Sequence, residues 1–221
     1  MAGERFGGTA RALAAVLFAA GSAACLGGTR NAHVAPPVDV EMDVEVLARF
    51  QHEIEEYVEL HQELLRRIPT VTPQSTAEEI EAHHLKMRNA IREERRKERP
   101  GDILKPQVAA AFRRIIEKEL TGTDGRAVLE ALRQGNPSVE GVPTATAPNA
   151  AIRKRVTVAV NAAYPEDAPV SSVPPHLLLK LPQLPEQVKY RFVGRDLILS
   201  DAEANVILDY LKDVLPPSAA R

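Results

Sequence analysis

The apolar residues of this chain change their spacing once, and that change limits what the two ends can fold into. From Asp43 to Ile68, the residues Leu47, Phe50, Ile54, Tyr57, Leu64 and Ile68 recur at three- and four-residue intervals once His61 is counted, a stripe along one face of a helix. Beyond residue 150 the period shortens. Val156, Val158 and Val160 alternate with Arg155, Thr157 and Ala159, and Val188, Tyr190 and Phe192 alternate with Lys189 and Arg191, the two-residue period of strands. The predicted class is therefore α+β: an N-terminal antiparallel helical hairpin with one or two further helices, then a small antiparallel sheet with a C-terminal helix.

Local chemistry marks the ends of these elements. Asp39, Glu41, Asp43 and Glu45 precede the first stripe and Arg66 and Arg67 close it, complementing a helix dipole, and Pro69 stops it. A second helix follows Thr70-Val71-Thr72-Pro73-Gln74, with Ser75 or Thr76 as cap, Glu78 or Glu79 in the first turn, and a seam of Ala77, Ile80, His84, Met87 and Ile91. A third begins near Lys105 with Pro106 in its first turn and buries Val108, Phe112, Ile115 and Ile116. A fourth runs from Gly125 to Arg133 after Asp124 and stops at Gly135. Gly194-Arg195 turns one strand into Asp196-Leu197-Ile198-Leu199, and Ser200-Asp201-Ala202-Glu203 has the form of a cap for a last helix with Ala204, Ile207, Leu208 and Leu211 on its face. Pro174-Pro175 ahead of His176 to Leu181 favours one or two helical turns over a strand.

The 17 prolines, clustered at 136–148 and 165–185, divide the chain. The expected organisation is a signal peptide over 1–24, a flexible tether over 25–42, a helical segment over 43–134, a linker over 135–150, a small α+β segment over 151–215 and a disordered tail over 216–221. Arg5 and Arg11, the apolar run Ala12 to Ala20 and the small residues Ser22-Ala23-Ala24 read as an export signal. The apolar stretch is about 15 residues, short of the roughly 20 a spanning helix needs. The single cysteine, Cys25, follows it directly. Two readings stay open. Small residues ending at a cysteine resemble a bacterial lipoprotein signal, with Ser22 where that pattern usually carries Leu, so that a lipid on Cys25 attaches the protein to a membrane; or ordinary cleavage leaves a free periplasmic protein. No intrachain disulfide can form.

A net charge of −2, no tryptophan and 4% aromatic residues leave neither a basic field nor a stacking surface, which argues against a nucleic-acid partner. The sequence has no Gly-x-Ser-x-Gly, Cys-x-x-Cys, His-Glu-x-x-His or phosphate-cradling glycine motif, so enzymes are the disfavoured class and no catalytic residue or cofactor is assigned. In a simple antiparallel register centred near residue 72, Ile68 meets Ala77, Leu64 meets Ile80, Tyr57 meets Met87, Ile54 meets Ile91, and His61 meets His84. That pair reads either as a polar layer fixing the register or, with Glu81, as a His61–His84–Glu81 site for a divalent metal such as zinc. His52 with Glu56, and His83, are expected on exposed helix faces, and His176 has no visible partner.

Gly101-Asp102-Ile103, Pro106, Phe112-Arg113, Tyr164-Pro165, Pro174-Pro175, Leu181-Pro182-Gln183-Leu184-Pro185, Tyr190-Arg191-Phe192-Val193-Gly194-Arg195 and Ala204-Asn205 together resemble a recurring pattern of exported bacterial proteins of uncharacterised function. The resemblance spans roughly residues 45–215. It implies a bacterial, exported protein and supplies no catalytic residue, ligand or partner. The expected role is a non-catalytic interaction module of the cell envelope with an envelope protein as partner, its oligomeric state open; the alternative is a periplasmic metal- or small-ligand-binding protein using the His61/His84 seam.

Overall fold

Asp43 accepts hydrogen bonds from the Glu45 and Val46 amides and starts helix α1, Val44–Arg67, at the expected residue. The computed structural model of the chain describes residues 42–135, 156–165 and 173–217. The signal segment with Cys25, the tether up to residue 41, nearly all of the 135–150 linker and residues 218–221 lie outside them. Helix α2, Ala77–Glu94, opens on a capping box in which Thr76 and Glu79 each satisfy the other's backbone amide. Pro106 occupies the first turn of α3, Pro106–Thr121, and α4 spans Gly125–Gly135. The Pro174-Pro175 segment forms the single turn α5, Pro175–Leu178.

Strands β1, Val188–Val193, β2, Asp196–Asp201, and β3, Ile207–Leu211, make an antiparallel meander in the order β1-β2-β3. Val193 pairs with Asp196 across the two-residue turn, whose first central residue, Gly194, has φ +60°, the conformation that suits the twist of a tight hairpin. Because side chains alternate across a sheet, Tyr190, Phe192, Leu197, Leu199 and Leu208 face the helices. Val193, Ile198 and Ile207 face the other way and pack under Val156 and Tyr164 of the 156–165 segment. The sheet is thus covered on both sides, and all six residues of β2 are buried.

That double cover explains two departures from the sequence reading. Residues Ile207–Leu211 form a strand, not the expected C-terminal helix. Asp201 does accept the Glu203 and Ala204 amides as a helix cap would, but Asn205 then takes φ +52° and the chain reverses into β3. Where strands are buried on both faces the sequence loses its alternation, so Ile207-Leu208 passes for a helix face. The expected strand around Val156–Val160 is also not formed among the described residues. Val156 is buried, and residues 161–164 bond the backbone of residues 205–207 at the sheet edge, with Ala163 bridging Val206.

One core joins the two halves that the prolines separate in sequence. Phe112 of α3 is fully buried, edge-on to Phe50 of α1 at 5.3 Å between ring centres and tilted against Tyr190 of β1 at 5.8 Å. Truncating it removes contacts from both halves at once. Phe112→Ala should lower unfolding free energy by about 3–5 kcal/mol in denaturant titration; a loss below about 1 kcal/mol would mean that the halves do not share this core.

Candidate functional site

Asp201, at the end of β2, holds the centre of a buried polar junction. Its Oδ2 accepts hydrogen bonds from Tyr57 Oη at 2.7 Å and His61 Nδ1 at 2.8 Å, both on α1, while its Oδ1 takes the Glu203 and Ala204 amides of the β2–β3 turn. Glu203, two residues on, reaches His61 Nε2 at 3.2 Å with one oxygen and His83 Nε2 at 2.6 Å with the other. His83 Nδ1 donates to the Pro69 carbonyl at 2.8 Å. Arg95 donates to the Leu208 carbonyl at 3.0 Å and lies 5.4 Å from the Tyr57 ring centre. Helices α1 and α2 and the tip of the sheet are tied at one point.

Both imidazole nitrogens of His61 face carboxylates, so each must carry a proton to donate. Burial pulls the His61 pKa down, but the hydrogen bond and charge of Asp201, with Glu203 behind them, outweigh it and leave the pKa above the ordinary value. Burial likewise pushes Asp201 up, and the His61, Ala204 and Tyr57 hydrogen bonds together bring it below the usual carboxylate range. Burial, reinforced by Asp201, raises the Tyr57 phenol, which stays protonated and donates.

The expected His61–His84–Glu81 site is not assembled. His61 is buried, but its nitrogens are taken by Asp201 and Glu203; His84 is half-buried, with its ring edge-on to His83 at 6.0 Å, and Glu81 is exposed. Among the described residues no group of three His, Cys, Asp or Glu side chains is placed to hold a metal ion. The register is displaced as well. Arg95 lies over Tyr57 where the simple hairpin puts Met87, and Arg67 reaches Glu94 at 3.5 Å. Glu203 bonds His83 beside His61, so His83 faces inward while His84 is half-buried. His83 is therefore buried, contrary to its expected exposure. His52 does lie beside Glu56 on an exposed face, at 3.4 Å, and His176 has a partner in Glu119 at 3.1 Å. The junction partners Asp201 and Glu203 were legible only as a helix cap.

The residues of the recurring pattern are occupied in building the fold. Asp209, fully buried on β3, accepts the amides of Gly101, Ile103 and Leu104 at 2.7 to 3.2 Å, a loop that Gly101 enters with φ +91°. Tyr190 donates to the Pro182 carbonyl at 3.0 Å. Arg191 stacks 4.4 Å from the Tyr164 ring centre and donates to Asn205, and Arg195 holds the Leu215 carbonyl and Asp213.

The open surface lies elsewhere. A groove of about 430 Å³ runs along the outer side of α1, floored by Phe50 and Ile54. Gln51, Glu55, Val58, Glu59 and Gln62 form its helical wall, and Gln183 and Pro185 the other. No Lys or Arg occurs between Arg49 and Arg66. Of the five glutamates in that stretch, Glu53 pairs with Lys105, Glu56 with His52 and Glu63 with Arg67. The other two, Glu55 and Glu59, make no hydrogen bond or ion pair among the described residues, and both line the groove. Comparison with protein-family models, with curated proteins and with solved structures finds no match to the chain.

Two outcomes follow from the junction. His61→Leu strands the buried Asp201 carboxylate and should cost about 3 kcal/mol in unfolding free energy, whereas His84→Leu should change it by less than about 1 kcal/mol; equal effects would contradict the placement of the two rings. Because the His61 pKa is raised on folding, its stabilisation is full below about pH 6.5 and is lost as pH rises through the folded value. The lowered Asp201 contributes above about pH 4 and is lost as pH falls below it. The denaturation midpoint should therefore peak between those limits and decline on the alkaline side, and a midpoint that climbs from pH 6 to 8 would contradict the clamp.

Proposed function

We propose that the protein is an exported bacterial module of the cell envelope that acts by binding another protein and performs no chemistry of its own. The observation that carries this reading is the division of its polar groups. The carboxylates and imidazoles of the buried junction are taken up by one another in holding the fold, whereas two α1 carboxylates without partners among the described residues, Glu55 and Glu59, border an open groove. Such a surface suits recognition: the half-exposed Val58 and Pro185 supply apolar contact and the unpaired charges supply orientation. The leader ahead of Cys25 supports export. Either a lipid on Cys25 tethers the module or cleavage releases it, and among the described residues no helix is long and apolar enough to cross a membrane.

Site-specific photocrosslinking in the native host tests the interaction. A crosslinker at Glu59 should trap one discrete envelope protein, with none trapped at the exposed Leu179 far along the chain. A protein that yields no adduct at any exposed position would overturn the reading. Intact mass of the mature chain decides the anchoring: added lipid mass on an N-terminal Cys25 marks a tethered module, and an unmodified start a free one.

A further inference from the structure

The interaction reading leaves the chemistry of the partner open, and the inventory of α1 constrains it. Gln51, Glu55, Val58, Glu59 and Gln62 fall at intervals of three, four and seven residues, so they share one stripe of the helix. At a rise of about 1.5 Å per residue that stripe is about 16 Å long, the span of about five residues of extended chain. Glu55 and Glu59 are separated by about 6 Å along the axis, close to the spacing of about 6.6 Å between side chains that point the same way from an extended strand. The opposite wall is different in kind, with Pro185 presenting an apolar surface and Gln183 an amide.

We infer that this groove binds an extended peptide segment, on the partner protein, bearing two basic side chains two residues apart with an apolar residue between them. The basic pair meets Glu55 and Glu59, and the intervening residue turns to the other wall and packs on Pro185. The inference rests on the interaction reading and narrows it. Charge complementarity selects this occupant. Each nearby glutamate that has a cation or imidazole within reach is already paired, and the two that are not face the groove with no basic residue among its lining. A second copy of the same α1 face would set acid against acid, and an anionic lipid surface or nucleic acid would meet the same repulsion.

The test is selection of peptides from a displayed random heptapeptide library on the full-length protein, followed by binding measurements with the enriched peptides. Enrichment of Lys or Arg at alternate positions around an apolar residue is expected. So is binding that weakens as salt rises and falls about tenfold or more in the E55Q/E59Q double variant, whose wild-type melting temperature would show an intact fold. A control, E56Q, outside the groove lining, should bind as the parent does. Enriched peptides without the basic pair, peptides that bind E55Q/E59Q as tightly as the parent, or no enrichment at all would overturn the inference. If photocrosslinking at Glu59 still traps a protein in any of those cases, the interaction reading stands and only the partner chemistry fails; if no exposed position traps one, both fail.

Discussion

The imidazole of His61 lies between Asp201 and Glu203, two carboxylates that reach it from the far end of the sequence, and the rest of the architecture is arranged around that contact. Taking charged groups out of water costs several kcal/mol each unless every lone pair and proton finds a partner. Here the accounting is nearly closed. Asp201 accepts from a phenol, an imidazole and two amides, and Glu203 spans His61 and His83. Such a cluster specifies one arrangement, because a helix displaced by one turn would leave a carboxylate buried alone.

The same carboxylate does local work. By taking the Glu203 and Ala204 amides, Asp201 turns the chain from β2 toward β3, so one residue both ends a strand and receives the helices. Asp209, opposite Leu199 in the neighbouring strand, gathers the 101–104 loop and fixes the entry to α3. Two aspartates on adjacent strands thus attach the sheet to the helical segment at separate points, and the Phe50–Phe112–Tyr190 contacts fill the space between. On α1 the open groove is lined by Glu55 and Glu59 above the buried Phe50 and Ile54.

Much of the helical half was legible because its elements are half-buried and carry their own end signals. Asp43, Thr76 with Glu79, and Pro106 each act where the sequence places them, since caps depend on a few adjacent residues. The hairpin around Gly194 was legible for the same reason. What was hidden depends on tertiary cover. β2 and β3 are packed on both faces, so their period vanishes, and Ser200-Asp201-Ala202-Glu203, a true amide cap, has the form of a helix start although it opens a turn. The histidine site failed similarly. A simple hairpin register pairs His61 with His84, whereas two carboxylates about 140 residues away in the chain claim His61 and draw in His83 instead. No local pattern in α1 or α2 encodes that contact. The groove, by contrast, could have been suspected from the five glutamates between Arg49 and Arg66 that no lysine or arginine interrupts.

The clamp itself can be observed directly. In ¹⁵N-edited NMR of the folded protein, His61 should show both ring nitrogens protonated at neutral pH, with its titration displaced above the ordinary histidine value, as an imidazolium held between two carboxylates requires. A neutral single-tautomer ring at neutral pH, titrating at or below the ordinary value, would contradict it.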